Sequence, residues 1–244
     1  MLTAIIVAAG RSRRLGFDKL TAPLDGRPVL AHALEAFENC RSVDAILLVT
    51  AAERVDEFSV WKTRYGCTKL AAVVAGGAER HLSVAAGLER LPAACRWVAV
   101  HDGARPLVTP AVIDRCMAAA REHRAVACAR PLAETVKRTD ADGWVAEAVS
   151  RERLWVMETP QVFERELLRR AYDYVLAEDL AVTDEVSAIE AIGARVRVVS
   201  NDQPNPKITF AADLLLAESL LAARRRLRGH ADARADGGTE RLPD

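Results

Sequence analysis

The sequence predicts a doubly wound α/β fold: a mostly parallel, twisted sheet with helices on both faces and a β-hairpin inserted late in the chain. Three observations predict it. Short apolar runs alternate with longer segments of helical periodicity, and strand–helix–strand order of this kind closes into a parallel sheet. The first run, LTAIIVAA from Leu2, is apolar at nearly every position, as a strand covered on both faces must be. The chain has 244 residues with 50% hydrophobic content, enough to build the core of one domain of ordinary size.

After the first strand, PVLAHALEAFENC repeats Leu30, Leu34 and Phe37 along one side at helical spacing. VDAILLVT and KLAAVVAGG are the second and third strands. ERHLSVAAGLERL is a helix expected to turn Leu82, Ala85, Ala86 and Leu88 inward. RWVAVHDGARP holds the fourth strand, ending at His101-Asp102. PAVIDRCMAAAREH is a helix with Pro110 in its first turn, where the missing N–H has no partner to lose. AVACARPL is the fifth strand. Beyond Pro131 the pattern changes. AETVKRTDADGWVAEAVSRERLWV reads as two extended arms around Asp140-Ala141-Asp142-Gly143, because Asp-Gly between β-prone arms signals a hairpin. Such an arm, residues 134–152 or so, cannot bury both its faces alone, so a homodimer is expected in which a second subunit covers it. FERELLRRAYDYVLAE, TDEVSAIEAIG and FAADLLLAESLLAARRRL are helices, with ARVRVVS a strand between the last two. Residues 1–228 read as one domain, and the polar tail 229–244 is expected to be disordered.

Lysine plus arginine and aspartate plus glutamate both total 34. That balance provides no overall positive field, which argues against nucleic acid as a partner and leaves phosphate binding to local clusters. The five cysteines lack CxxC spacing and predict reduced thiols. No apolar run approaches the ~20 residues that span a bilayer, and no basic stretch followed by an apolar one opens the chain. A soluble, cytoplasmic protein without a membrane partner is expected.

Three loops carry the candidate chemistry. Ala8-Ala9-Gly10 follows the first strand, and its small side chains let a ligand approach backbone N–H groups. Ligands of open α/β sheets sit beyond the carboxyl ends of strands, where this loop falls. Arg13, Arg14 and Lys19 add the positive charge a polyphosphate requires before a second anion can come near. Gly10-Arg11-Ser12-Arg13-Arg14-Leu15 matches neither the GxGxxG of a dinucleotide fold nor the Gly-Lys-Ser/Thr of a P-loop, while a plain solvated basic loop stays open. In the second loop, Gly76-Gly77 ends the third strand, with Arg80 and Ser83 at the start of the next helix. That serine can cap the helix or read a base edge. In the third, Asp102 ends a buried strand, with Arg105 three residues on. A carboxylate there is a Mg²⁺ or ribose ligand, or a cap for the next turn. His101 reads as a packed, structural residue.

Together with GGAERHLSV, VHDGARP, ETVKR, SRERLW, TPQVF, TDEVSAIE and NPKIT…DL, the first loop resembles that of the 2-C-methyl-D-erythritol 4-phosphate cytidylyltransferases, in order and spacing across roughly residues 1 to 222. The resemblance implies a Rossmann-like nucleotidyltransferase of non-mevalonate isoprenoid biosynthesis. Its substrates would be CTP and 2-C-methyl-D-erythritol 4-phosphate, its products 4-diphosphocytidyl-2-C-methyl-D-erythritol and pyrophosphate, and its cofactor Mg²⁺ or another divalent cation. It implies that Arg14 and Lys19 hold the triphosphate and that Lys207 bridges the α-phosphate and the incoming phosphate. Ala8, Ala9, Gly10, Gly76, Gly77 and Ser83 would line the cytidine pocket, with Asp102 by the ribose and metal and Arg105 nearby. Arg151 and Thr183 would hold the polyol phosphate, Arg151 reaching across a dimer from the hairpin arm. Several positions depart from the family pattern: Ser12 replaces a glycine, the stretch from Arg14 to Lys19 is short, Asp18 stands where a proline usually precedes the lysine, Gly103 stands where alanine is common, and Pro206 precedes Lys207. Asp18 either turns to solvent or weakens nucleotide binding. A phosphate monoester, with a second pKa near ~6, is largely dianionic at neutral pH, so this nucleophile needs no general base. Cations that position and neutralise are the expected catalytic means. A ribitol 5-phosphate cytidylyltransferase is the nearest rival, and a non-catalytic nucleotide-binding subunit is the rival from another class.

Overall fold

In the computed structural model, which describes residues 1–10 and 17–236 with side chains as far as Leu227, the hub of the sheet is β1 (Leu2–Ala8). Successive side chains of a strand point to opposite faces. Leu2, Ala4, Ile6 and Ala8 accordingly enter one hydrophobic core and Ile5 the other. A two-stranded ribbon, β2 (Pro23–Leu24) and β3 (Arg27–Pro28), leads into α1 (Val29–Glu38), whose Leu30, Leu34 and Phe37 are fully buried in the first core. Then come β4 (Ala45–Thr50), α2 (Val55–Ser59), α3 (Trp61–Arg64), β5 (Leu70–Ala75), α4 (Arg80–Glu89) and β6 (Trp97–Asp102). α5 (Pro110–His123) starts on Thr109, whose hydroxyl accepts from the Val112 N–H, and it has Pro110 in its first turn. β7 (Ala125–Pro131), the hairpin β8 (Val136–Thr139) and β9 (Val145–Val149), and β10 (Trp155–Glu164) follow. The chain continues through α6 (Arg165–Ala177), α7 (Glu185–Ala191), β11 (Arg197–Ser200) and α8 (Ala211–Asp236).

Seven strands form the main sheet in the order β11-β7-β10-β6-β1-β4-β5. All neighbours are parallel except β10, which runs antiparallel to both β6 and β7. α1 and α5 cover one face; α4, α6 and α7 cover the other. A third, smaller core joins Ala217 of α8 to Ile208 and Leu107.

The structure revises four expectations. The second hairpin arm stops at Val149, and Trp155-Val156, expected to continue it, begin β10 of the main sheet. The run WVMETPQVFE hides a central strand because Glu158, Thr159, Pro160 and Gln161 interrupt its apolar pattern. Proline is tolerated there because the pairing with β7 shifts register between Met157 and Gln161. On α4 the buried stripe is Ser83, Val84 and Gly87, while Leu82, Ala85, Ala86 and Leu88 are half-buried. That helix docks through its smallest residues: a Cβ on Gly87 would lie 2.8 Å from Ile5 Cγ2. Residues 55–64 form two short helices where the sequence pattern predicts no regular element. Finally, α8 extends to Asp236, past Gly229, where the tail was expected to begin losing structure.

Candidate active site

The order of strand addition reverses at β1, with β4 and β5 laid on one side and β6 on the other. A crevice beyond the carboxyl ends at such a switch point is where open α/β sheets take ligands. Here a cavity of about 170 Å³ opens, and its lining includes Ala8, Ala9, Gly10, Lys19, Gly77, Ser83, Asp102 and Lys207. Gly76 lies on an adjoining groove of about 500 Å³ that shares Ala9, Gly10 and Gly77. Residues from both ends of the chain therefore meet at one place.

The two glycines let the loop after β5 close onto the loop after β1. A Cβ at Gly76 would stand 2.6 Å from Ser83 Oγ and 2.9 Å from Ala9 Cβ, and one at Gly77 would overlap Leu82. Ser83 does not cap its helix. Glu79 is the N-cap, and the buried Ser83 hydroxyl donates back to the Glu79 carbonyl at 3.0 Å. That leaves Ser83 on the cavity wall as a helix residue held one turn in.

Asp102 ends β6 at the cavity floor. Its Oδ1 accepts from Arg80 Nε at 3.0 Å, and its Oδ2 lies 2.8 Å from Lys207 Nζ and 3.7 Å from Arg105 Nε. Burial alone would raise its pKa, but Arg80 and Lys207 hold it well below the usual carboxylate range. Both carboxylate oxygens are thus engaged by cations in this structure. Among the described residues no three His, Cys, Asp or Glu side chains converge on one point. Arg105, expected near the substrate, does not line the cavity. It lies beneath, donating to the Asn205 carbonyl at 2.9 Å. His101 is fully buried between Thr159 Oγ1 (3.0 Å) and the Arg105 carbonyl (3.2 Å), and burial pushes its pKa down to about 4. It is the packed residue its position suggested.

Asp18 is turned from the cavity. Its carboxylate accepts from the Leu20 N–H at 3.1 Å and the Thr21 hydroxyl at 2.7 Å, and it pairs with Arg54 at 2.7 Å. The negative charge that the sequence places beside Lys19 is therefore neutralised on the far side of its own turn. Arg14, with Arg13 and Ser12, lies outside the described residues. Arg151 and Thr183 are exposed and do not line the cavity. Arg151 donates to the Ala133 carbonyl at the root of the hairpin, and the Thr183 hydroxyl bonds Ser187 at the start of α7.

A network absent from the sequence reading joins α4, β6 and α7. Arg80, besides holding Asp102, makes a bidentate pair with the fully buried Glu185 at 2.7 and 3.1 Å, and the Tyr172 hydroxyl donates to Glu185 at 3.0 Å. The acidic residue sits in plain view within TDEVSAIE, but its partner is 105 positions away. Only the fold makes them neighbours.

A Rossmann-like sheet with small-residue loops and two lysines at its switch point fits a nucleotidyltransferase. The model of the family 2-C-methyl-D-erythritol 4-phosphate cytidylyltransferase matches residues 2–223. The chain belongs to that family. It is 39% identical over 228 residues to the enzyme of that name from Alkaliphilus metalliredigens, covering 92% of this chain and 94% of the relative. Among solved structures, 4-diphosphocytidyl-2C-methyl-D-erythritol synthase from Anaerococcus prevotii superposes with a TM-score of 0.81 at 30% identity, covering 91% of this chain and 98% of that one. The 2-C-methyl-D-erythritol 4-phosphate cytidylyltransferase of Thermus thermophilus gives 0.75 at 28% identity, covering 89% and 98%.

Proposed function

We propose that this enzyme transfers the cytidylyl group of CTP to 2-C-methyl-D-erythritol 4-phosphate, releasing pyrophosphate and forming 4-diphosphocytidyl-2-C-methyl-D-erythritol in non-mevalonate isoprenoid biosynthesis. The observation that carries this reading is the meeting of Lys19 and Lys207 at one crevice with the small-residue loops after β1 and β5. The substrate's phosphate oxygen attacks the α-phosphorus of CTP in line, the bond to the β-phosphate oxygen breaks, and pyrophosphate departs with the electron pair. The barrier is repulsion between two anions together with charge building on the leaving group. Lys19 and Arg14 hold and neutralise the triphosphate, and Lys207 draws the two reacting phosphates together. Ala8, Ala9, Gly10, Gly76, Gly77 and Ser83 take the cytidine, and Asp102 faces the ribose. A divalent cation such as Mg²⁺ is best accommodated by the nucleotide's own phosphate oxygens, its preferred hard ligands.

Arg151 and Thr183 act on the polyol phosphate when two chains associate through the hairpin, which brings Arg151 of one to the crevice of the other. The exposed Trp144 and Val145 on that arm support the association. The enzyme works in the cytoplasm; no helix among the described residues is long and apolar enough to cross a membrane. Pyrophosphate release with CTP and 2-C-methyl-D-erythritol 4-phosphate tests the assignment, with ribitol 5-phosphate and the other three nucleotides as controls. Release with CTP and the methylerythritol phosphate is expected. Faster release with ribitol 5-phosphate would move the enzyme to the pentitol class, and no release with either would overturn catalysis.

A further inference from the structure

We propose that Glu158, a buried carboxylate that does not line the cavity, is a positioning residue for cytidylyl transfer because it anchors the loop that presents Lys207. The inference rests on the assignment of Lys207 to the reacting phosphates.

Lys207 stands on residues 201–210, which follow β11 without regular structure, so no helix or sheet ladder holds it. A long lysine side chain is only as well placed as the backbone beneath it. This backbone is fastened at several points, and the polar ones gather on one spot of β10. Asn201 donates its N–H to the Ala129 carbonyl at 2.8 Å and its Nδ2 to Glu158 Oε2, also at 2.8 Å. Asn205 directs its Nδ2 to the Thr159 carbonyl at 2.9 Å and, less closely, to Glu158 Oε2 at 3.4 Å. Arg105 holds the Asn205 carbonyl at 2.9 Å, and the Ile208 N–H meets the Ala104 carbonyl at 2.8 Å. Glu158, Asn201 and Asn205 are 4%, 5% and 3% exposed. One carboxylate oxygen thus takes an amide from each end of the loop segment leading to Lys207.

Glu158 sits where β10 shifts register, which frees its side chain from the strict alternation of the strand. A core position wanted for stability alone is commonly served as well by an apolar residue of similar volume. A buried, mutually bonded polar set selects one geometry instead. Here that geometry ends with Lys207 Nζ 2.8 Å from Asp102.

The test is a double-mutant cycle read in kcat and in KM for CTP, on the full chain. Glu158→Ala is expected to lower kcat about 10- to 100-fold, since a misplacement of order 1 Å has that effect. In a Lys207→Ala background the same change should lower kcat less than about twofold, because an anchor has nothing left to position. Glu158→Gln keeps an acceptor oxygen for both asparagines and should remain within about threefold of wild type. Equal losses in the two backgrounds, wild-type turnover in Glu158→Ala, or a Glu158→Gln variant as impaired as Glu158→Ala would each overturn the proposal. Should Glu158→Ala not accumulate folded, Asn205→Ala cuts the same link from the loop side and is held to the same comparison. Wild-type turnover in Lys207→Ala would overturn the site reading itself, an outcome separate from additivity in the cycle.

Discussion

Lys19 and Lys207 come from loops far apart in sequence and reach the same cavity. Replacing either by alanine should lower kcat/KM by ~10²–10³, as loss of a charge-stabilising donor commonly does, with little change in melting temperature. Pyrophosphate release and thermal denaturation measure the two effects separately. Arg80 behaves differently, because its loss strands a buried carboxylate. With Glu185 fully buried, Arg80→Met should destabilise the fold by about 3 kcal/mol in urea denaturation, the usual scale for breaking a buried pair. His101 links stability to pH. Its pKa falls from an ordinary 6.5 to about 4 in the fold because burial disfavours the charged ring. Between those values the unfolded chain takes up a proton that the folded one refuses, so stability drops as pH falls across that window. The loss amounts to about 3 kcal/mol in all. Urea midpoints at pH 7 and pH 4.5 should therefore converge in His101→Gln relative to wild type. Asp102, held below the usual carboxylate range, has its acid loss at lower pH, below the unfolded value of 3.8.

At the scale of elements, the crevice depends on two loops touching. Gly76 permits the contact by having no Cβ, and a methyl group there would press on Ser83 and Ala9. Gly76→Ala should raise KM for CTP at least tenfold by moving the loop after β5 outward, while circular dichroism stays native. The hairpin was legible because Asp140-Ala141-Asp142-Gly143 carries its own instructions: Gly143 takes a positive φ of 89°, and the Asp140 carboxylate accepts from the N–H groups of Asp142 and Trp144. Strand β10 was not legible, because its polar centre is stabilised by partners on other elements. The α4 face misled for a related reason. Apolar residues mark a helix, but the closest packing selects its smallest side chains, and closeness is a property of the pair of surfaces.

For the molecule as a whole, the hairpin β8–β9 pairs with no other strand among the described residues and leaves Trp144 76% exposed and Val145 64% exposed. On the proposed dimer, changing both to serine should shift sedimentation toward the monomer and lower turnover at fixed CTP. An unaltered sedimentation coefficient would count against the arm as the dimer contact. By itself the sequence determined the doubly wound sheet, the loops at its strand ends, and the lysines and carboxylate that meet there. The sheet and its loops follow from local periodicity and turn chemistry, which act between near neighbours in the chain, whereas the meeting of Lys19, Asp102 and Lys207 was implied by the family resemblance. Tertiary structure alone decided that β10 enters the sheet antiparallel, that Asp18 turns to Arg54, that Arg80 grips Glu185, and that Asp102 has both oxygens engaged by cations. Each of these is a pairing across a long stretch of chain, and burial sets its strength only once the fold has removed the water.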